Sequence, residues 1–78
     1  MYVRVSLADA PLGTPLTLTE AAIEPGSARR LASFGLRVGS RFSLLSRTAG
    51  GGRVVLVAGS RVAVGKPLLS GLLAEVPV

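Results

Sequence analysis

Four carboxylates, Asp9, Glu20, Glu24 and Glu75, are all the acid this chain carries, and they are spread along its length. General acid–base and metal chemistry need several such groups held together, usually beside histidine, and the chain has no histidine and no cysteine. No triad, acid–base pair or catalytic metal set can be assembled from these residues, so an enzyme is not expected and no cofactor is called for. A weak metal site at Glu20 or Glu24 is a poorer reading than solvated surface acids. The run Gly59 to Lys66, GSRVAVGK, misses the phosphate-loop pattern: it has one residue too many between its glycines, and Pro67 stands where a hydroxyl should follow the lysine. Gly50-Gly51-Gly52 reads better as a flexible hairpin connection than as an anion cradle.

The remaining chemistry is basic. Nine Lys and Arg against four Asp and Glu leave a net charge of +5, and Lys66 is the single lysine. Arg29, Arg30, Arg37 and Arg41 crowd a stretch that also holds Leu36 and Val38. Arginines around an apolar spot are the usual composition of an interface anchor, so these six residues form the candidate partner contact. The competing reading is a solvated basic face with Leu36 packed in the core. Nucleic acid is disfavoured as the partner, because stacking platforms use aromatics and the chain offers Tyr2, Phe34 and Phe42, two of them expected inside. Phosphate-only binding by a basic barrel stays as the alternative from another class.

The elements that position this stretch follow from period and punctuation. Val3, Val5 and Leu7 alternate with polar residues as a weak first strand, and Leu16 to about Ala22 is a firmer one. Glu24-Pro25-Gly26 is turn chemistry, and Ser27 stands where a helix N-cap should, predicting a helix over 28–34. That placement sets Arg29 and Arg30 in the first turn, where the helix dipole disfavours them. With Phe34 as C-cap, Gly35 takes the left-handed position and Leu36 packs back on Leu31, a Schellman stop. Arg37-Val38-Gly39-Ser40 then has glycine where a type II turn requires it.

Beyond the turn, residues 41–48 alternate as a strand bordered by arginines, and 53–58 is apolar on both faces, hence the most buried strand. Gly59-Ser60 signals a hairpin into 61–64, with Val62 and Val64 inward. Leu68, Leu69, Leu72 and Leu73 recur at helical spacing, predicting a turn or two of helix, and 74–78 returns as an extended edge where Pro77 is tolerable. The fold class is therefore mainly β: a small, partly open barrel of about five strands, with a short α-helix after the first core strand and a second helical turn near the C-terminus.

Composition agrees with a single domain over residues 1–78. Apolar residues make up 49% and charged residues 17%, which places the chain among globular proteins, with disorder expected at most near the ends, and leaves a greasy surface on which a homo-oligomer stays open. The longest uncharged stretch, Ala10 to Thr19, is broken by Pro11, Gly13 and Pro15, so no membrane span is expected; nor is a secretory leader in MYVRVSLADAP. Without cysteine a reducing, cytoplasmic setting is the expectation.

Two motifs resemble a known family. Leu7-Ala-Asp-Ala-Pro-Leu-Gly13 is similar to its opening L-x-x-L-x-x-G, with Ala10 where leucine is usual. Arg30-Leu31-x-x-Phe34-Gly35-Leu36-x-x-Gly39 is similar to its R-L-x-x-[LM]-G-[LI]-x-x-G core. The family is FeoA, the small SH3-like protein of bacterial ferrous-iron uptake, which also resembles the C-terminal domain of iron-dependent repressors of the diphtheria toxin repressor type. Val38 replaces a frequent proline, and Gly50 to Gly52 shortens a usually longer loop. The resemblance implies an SH3-like fold and a cytosolic accessory role through contact with the cytoplasmic region of the FeoB transporter, any membrane association being peripheral and through that partner. A stand-alone module of an iron-dependent regulator is the alternative; a chain starting at Met1 with no upstream helix-turn-helix is expected to stand alone.

Overall fold

The computed structural model describes residues 1–77. In chain order the elements are β1 (Tyr2–Ser6), β2 (Leu16–Ala21), α1 (Pro25–Ser33), β3 (Arg41–Arg47), β4 (Arg53–Val57), β5 (Ser60–Val64), α2 (Lys66–Leu69) and β6 (Leu72–Pro77). The strands pair antiparallel in the order β1-β6-β2-β3-β4-β5, a curled sheet that does not close. Alternation does what the sequence implies in β2 and β3: Leu16, Leu18, Phe42 and Leu44 face a core completed by Leu7, Leu31, Leu36, Val55, Val64, Leu69 and Leu72.

Among the described residues there are six strands rather than five, and the C-terminal one is interior. β6 pairs β1 from Tyr2↔Pro77 to Ser6↔Leu73 and pairs β2 on its other side. The expected frayed first strand is thus a full edge strand, and the expected C-terminal edge is an interior strand, second in the order; Val78 lies outside the described residues. Helical spacing misleads at Leu72 and Leu73, which belong to β6, while α2 is a single turn ending at Leu69. Gly71 breaks the pattern for a tertiary reason. A Cβ there would sit 2.5 Å from the Ala22 carbonyl oxygen, and the Ala22 N–H donates to Gly71 O at 2.7 Å. The chain between β2 and α1 is laid directly on this spot.

β4 is apolar on both faces, yet only one face is buried: Arg53, Val55 and Val57 point in, and Leu56 is exposed. The β4–β5 hairpin turns on Ala58 and Gly59, at φ 50° and 77°, the two positive angles a tight two-residue hairpin uses. The preceding loop is pinned rather than flexible. Gly52 N–H donates to Thr48 Oγ1 at 3.0 Å, and Arg53 Nη1 donates to the carbonyls of Gly51 and Gly52, both at 2.9 Å. Arg53 Nη2 reaches Ala8 O at 2.8 Å, tying this loop to the turn after β1.

Candidate functional site

Helix α1 begins earlier than Ser27 predicts. Pro25 occupies the first helical position, where its fixed φ is already helical and its missing N–H would have been unpaired anyway. Glu24 is the N-cap residue and no side chain caps the helix; the Ala28 N–H closes the first turn on Glu24 O at 2.9 Å. The early start removes the dipole objection, because Arg29 falls beyond the first turn and Arg30 lies in the last, where positive charge is favoured.

The helix stops as the sequence implies. Gly35 sits at φ 99°, its N–H donates to Ala32 O at 2.9 Å, and the Leu36 N–H reaches back to Leu31 O at 2.9 Å, the paired bonds of a Schellman motif. The turn over 37–40 closes with Ser40 N–H on Arg37 O at 2.9 Å and Gly39 at φ 94°. Sequence reasoning passed over two things that hold this ledge still. Ser40 Oγ donates to Gly35 O at 2.6 Å while accepting the Arg37 N–H at 3.1 Å. The turn is also bonded to β2 in both directions, Gly39 N–H to Leu18 O at 2.8 Å and Leu18 N–H to Ser40 O at 2.9 Å.

Between α1, the ledge and the end of β2 lies an open groove of about 310 Å³. Leu31, Leu36 and Leu72 form its floor, and Ala21, Ile23, Ala28 and Ala32 its walls. Arg29, Arg37 and Val38 stand at its rim, Val38 with 60% of its surface exposed. Of the six candidate residues the fold brings four to this groove. Leu36 belongs to it only as floor, being 2% exposed, so it is both core and base of the site. Arg30 faces another groove, shared with Phe34, Val62, Ala63 and Leu68. Arg41 lines a third hollow, with Tyr2, Thr17 and Glu75, on the sheet side. Phe34, which a core role would hide, is 47% exposed and Tyr2 65%; Phe42 alone of the three aromatics is buried.

Arg53 is the functional-looking residue that sequence reading missed, a cation only 8% exposed whose Nη atoms hold three carbonyls and whose Nε has no partner among the described residues. The signal was available: Arg53, Val55 and Val57 share one face, so an arginine opens a buried row. Its bonds are all to backbone of its own chain, which makes it a clamp on two loops. Among the described residues no group of three or more His, Cys, Asp or Glu side chains comes together, and no helix is long and apolar enough to cross a membrane.

An unclosed antiparallel barrel of this order, with one helix inserted between its second and third strands and an apolar groove beside that helix, is an SH3-like domain. The same architecture recurs in solved structures. A crystal structure of an iron uptake regulatory protein (FeoA) superposes with a TM-score of 0.81 at 23% identity, covering 95% of this chain and 100% of that one. The solution structure of FeoA from Chlorobium tepidum gives 0.85 at 23% identity, covering 95% and 71%. A manganese-dependent transcriptional repressor gives 0.80 at 22% identity, covering 99% of this chain and 44% of the repressor. No curated protein matches the chain in sequence. The FeoA domain model matches residues 5–76, and the chain belongs to the FeoA domain family.

Proposed function

We propose that this chain serves ferrous-iron transport in the cytoplasm as a non-catalytic accessory protein, by docking on the cytoplasmic region of the FeoB transporter. Membership in the FeoA family supports the role in iron transport. The observation that carries the contact is the groove itself: an apolar floor of Leu31, Leu36 and Leu72, rimmed by Arg29 and Arg37. An anchor of this kind takes an apolar side chain into the groove and steers an acidic surface onto its rim. The ledge is held by the Schellman stop, the Ser40 bridge and the β2 bonds, so little ordering entropy is lost on docking.

The test is a quantitative pull-down with the transporter's cytoplasmic domain, comparing the native chain with Arg29→Glu/Arg37→Glu and with Val38→Asp. All three positions are exposed, so the variants should fold like the parent. Binding is expected to fall by about tenfold or more in the charge-reversed chain. Equal capture of all three proteins would remove this face from the reading. Likeness to the repressor favours a second reading, a module of a metal-dependent regulator; in that case the same variants would alter binding to a repressor domain and leave the transporter domain's capture unchanged.

A further inference from the structure

We propose that the free edge of β5, together with the wall of α1 facing it, is a second docking site that receives an extended, acidic segment of a partner protein as an added β-strand. Val57 and Ser60 flank the two-residue turn, so Ser60, Val62 and Val64 exchange their backbone bonds with β4. Alternation then turns the N–H and C=O groups of Arg61 and Ala63 away from the sheet. β5 is last in the strand order, and among the described residues none of the turn, loop and cap bonds uses either residue.

A bare edge is a liability that folds usually blunt, and here it opens onto a groove instead. The hollow of about 160 Å³ beside it is walled by Ser27 and Arg30 of α1, by Phe34 at the helix C-cap and by Leu68, and Ala63 lies on its strand side. Phe34 offers that hollow an apolar face at 47% exposure. Strand addition combines main-chain bonds at the edge with a pocket for alternate side chains, and both are present.

Charge selects the occupant. Arg30 stands on the helix wall, Arg61 on the strand itself, and among the described residues no acidic one lines the hollow. A second copy fits poorly: it carries the same net charge of +5, and its other open edge, β1, has Arg4 at its centre. A segment alternating apolar residues with Asp or Glu satisfies the edge, the pocket and the charge together. This site is separate from the groove under Arg29 and Arg37, so the two readings fail independently.

The experiment is selection of the full chain against a phage-displayed library of random dodecapeptides, followed by anisotropy titration of the most enriched peptide. Enriched peptides should alternate apolar and acidic residues. Ala63→Pro removes an N–H that β4 does not use, which an edge strand tolerates, and should weaken binding about tenfold at unchanged unfolding temperature. Arg30→Glu should weaken it about fivefold, and Arg29→Glu/Arg37→Glu by less than about twofold. Methylating alternate backbone amides of the peptide deletes the complementary bonds, those its N–H groups donate to the Arg61 and Ala63 carbonyls, and should also abolish binding, whether or not Ala63→Pro folds. Absence of enrichment, equal binding by the Ala63→Pro chain or the methylated peptide, or a doubled solution mass that Ala63→Pro abolishes would overturn the proposal.

Discussion

Replacing Gly35 with alanine tests the stop that shapes the groove. Gly35 sits at φ 99°, and a Cβ placed on it would lie 3.1 Å from the Ala58 Cβ and 3.7 Å from a Val57 methyl. Holding an L-residue in the left-handed region costs about 1–2 kcal/mol. Forcing a methyl against a neighbour that must give adds about 1 kcal/mol. Alanine also narrows the unfolded ensemble, which returns about 0.4–1 kcal/mol. The net is a destabilisation of about 2 kcal/mol, a fall of about 8–16 °C in Tm for a domain of this size. The assay is thermal unfolding followed by circular dichroism. A double-mutant cycle with Ala58→Gly separates the two causes, with an expected coupling of about 1 kcal/mol from the removed contact. An unchanged or raised Tm in Gly35→Ala would refute the left-handed stop, and zero coupling would refute the contact with Ala58.

Two further perturbations follow from the same geometry. Arg53→Met deletes three bonds to the carbonyls of Gly51, Gly52 and Ala8 while relieving the cost of a buried charge, and should destabilise by about 2–3 kcal/mol in urea unfolding. Hydrogen exchange should show the 48–52 loop and the turn after β1 loosening together, since one side chain ties both. Ala58→Asn places the residue most tolerant of positive φ at an angle of 50° in the β4–β5 turn, and should raise Tm by about 3–6 °C, measured by the same melts.

Much of the ledge is legible in the sequence. Gly35, Leu36 and the Arg37 to Ser40 turn obey rules that depend on a residue and its near neighbours, and each is found as expected. The start of α1 differs from the expected 28–34 because Ser27 and Pro25 are both good starting residues, and the proline's fixed φ prevails. Among the candidate contacts, proximity in sequence grouped residues that the helix then separated. Arg29 and Arg30, neighbours in the chain, turn to different grooves, and Arg41, one residue past the turn, lies on the sheet side.

What the sequence by itself determined is the local grammar: alternating strands, a helix with a glycine stop, a tight turn, and a side-chain inventory without histidine or cysteine. These are matters of stereochemistry over a few residues, and no distant contact is needed to impose them. The tertiary structure alone decided that β6 lies between β1 and β2, that Gly71 gives way to the Ala22 backbone, and that Arg53 is buried among carbonyls. It also decided which arginines share a groove. Each of these depends on segments far apart in the chain meeting in one place. Spacing along a sequence carries no record of that distance, because the partner that settles each choice is absent until the sheet assembles.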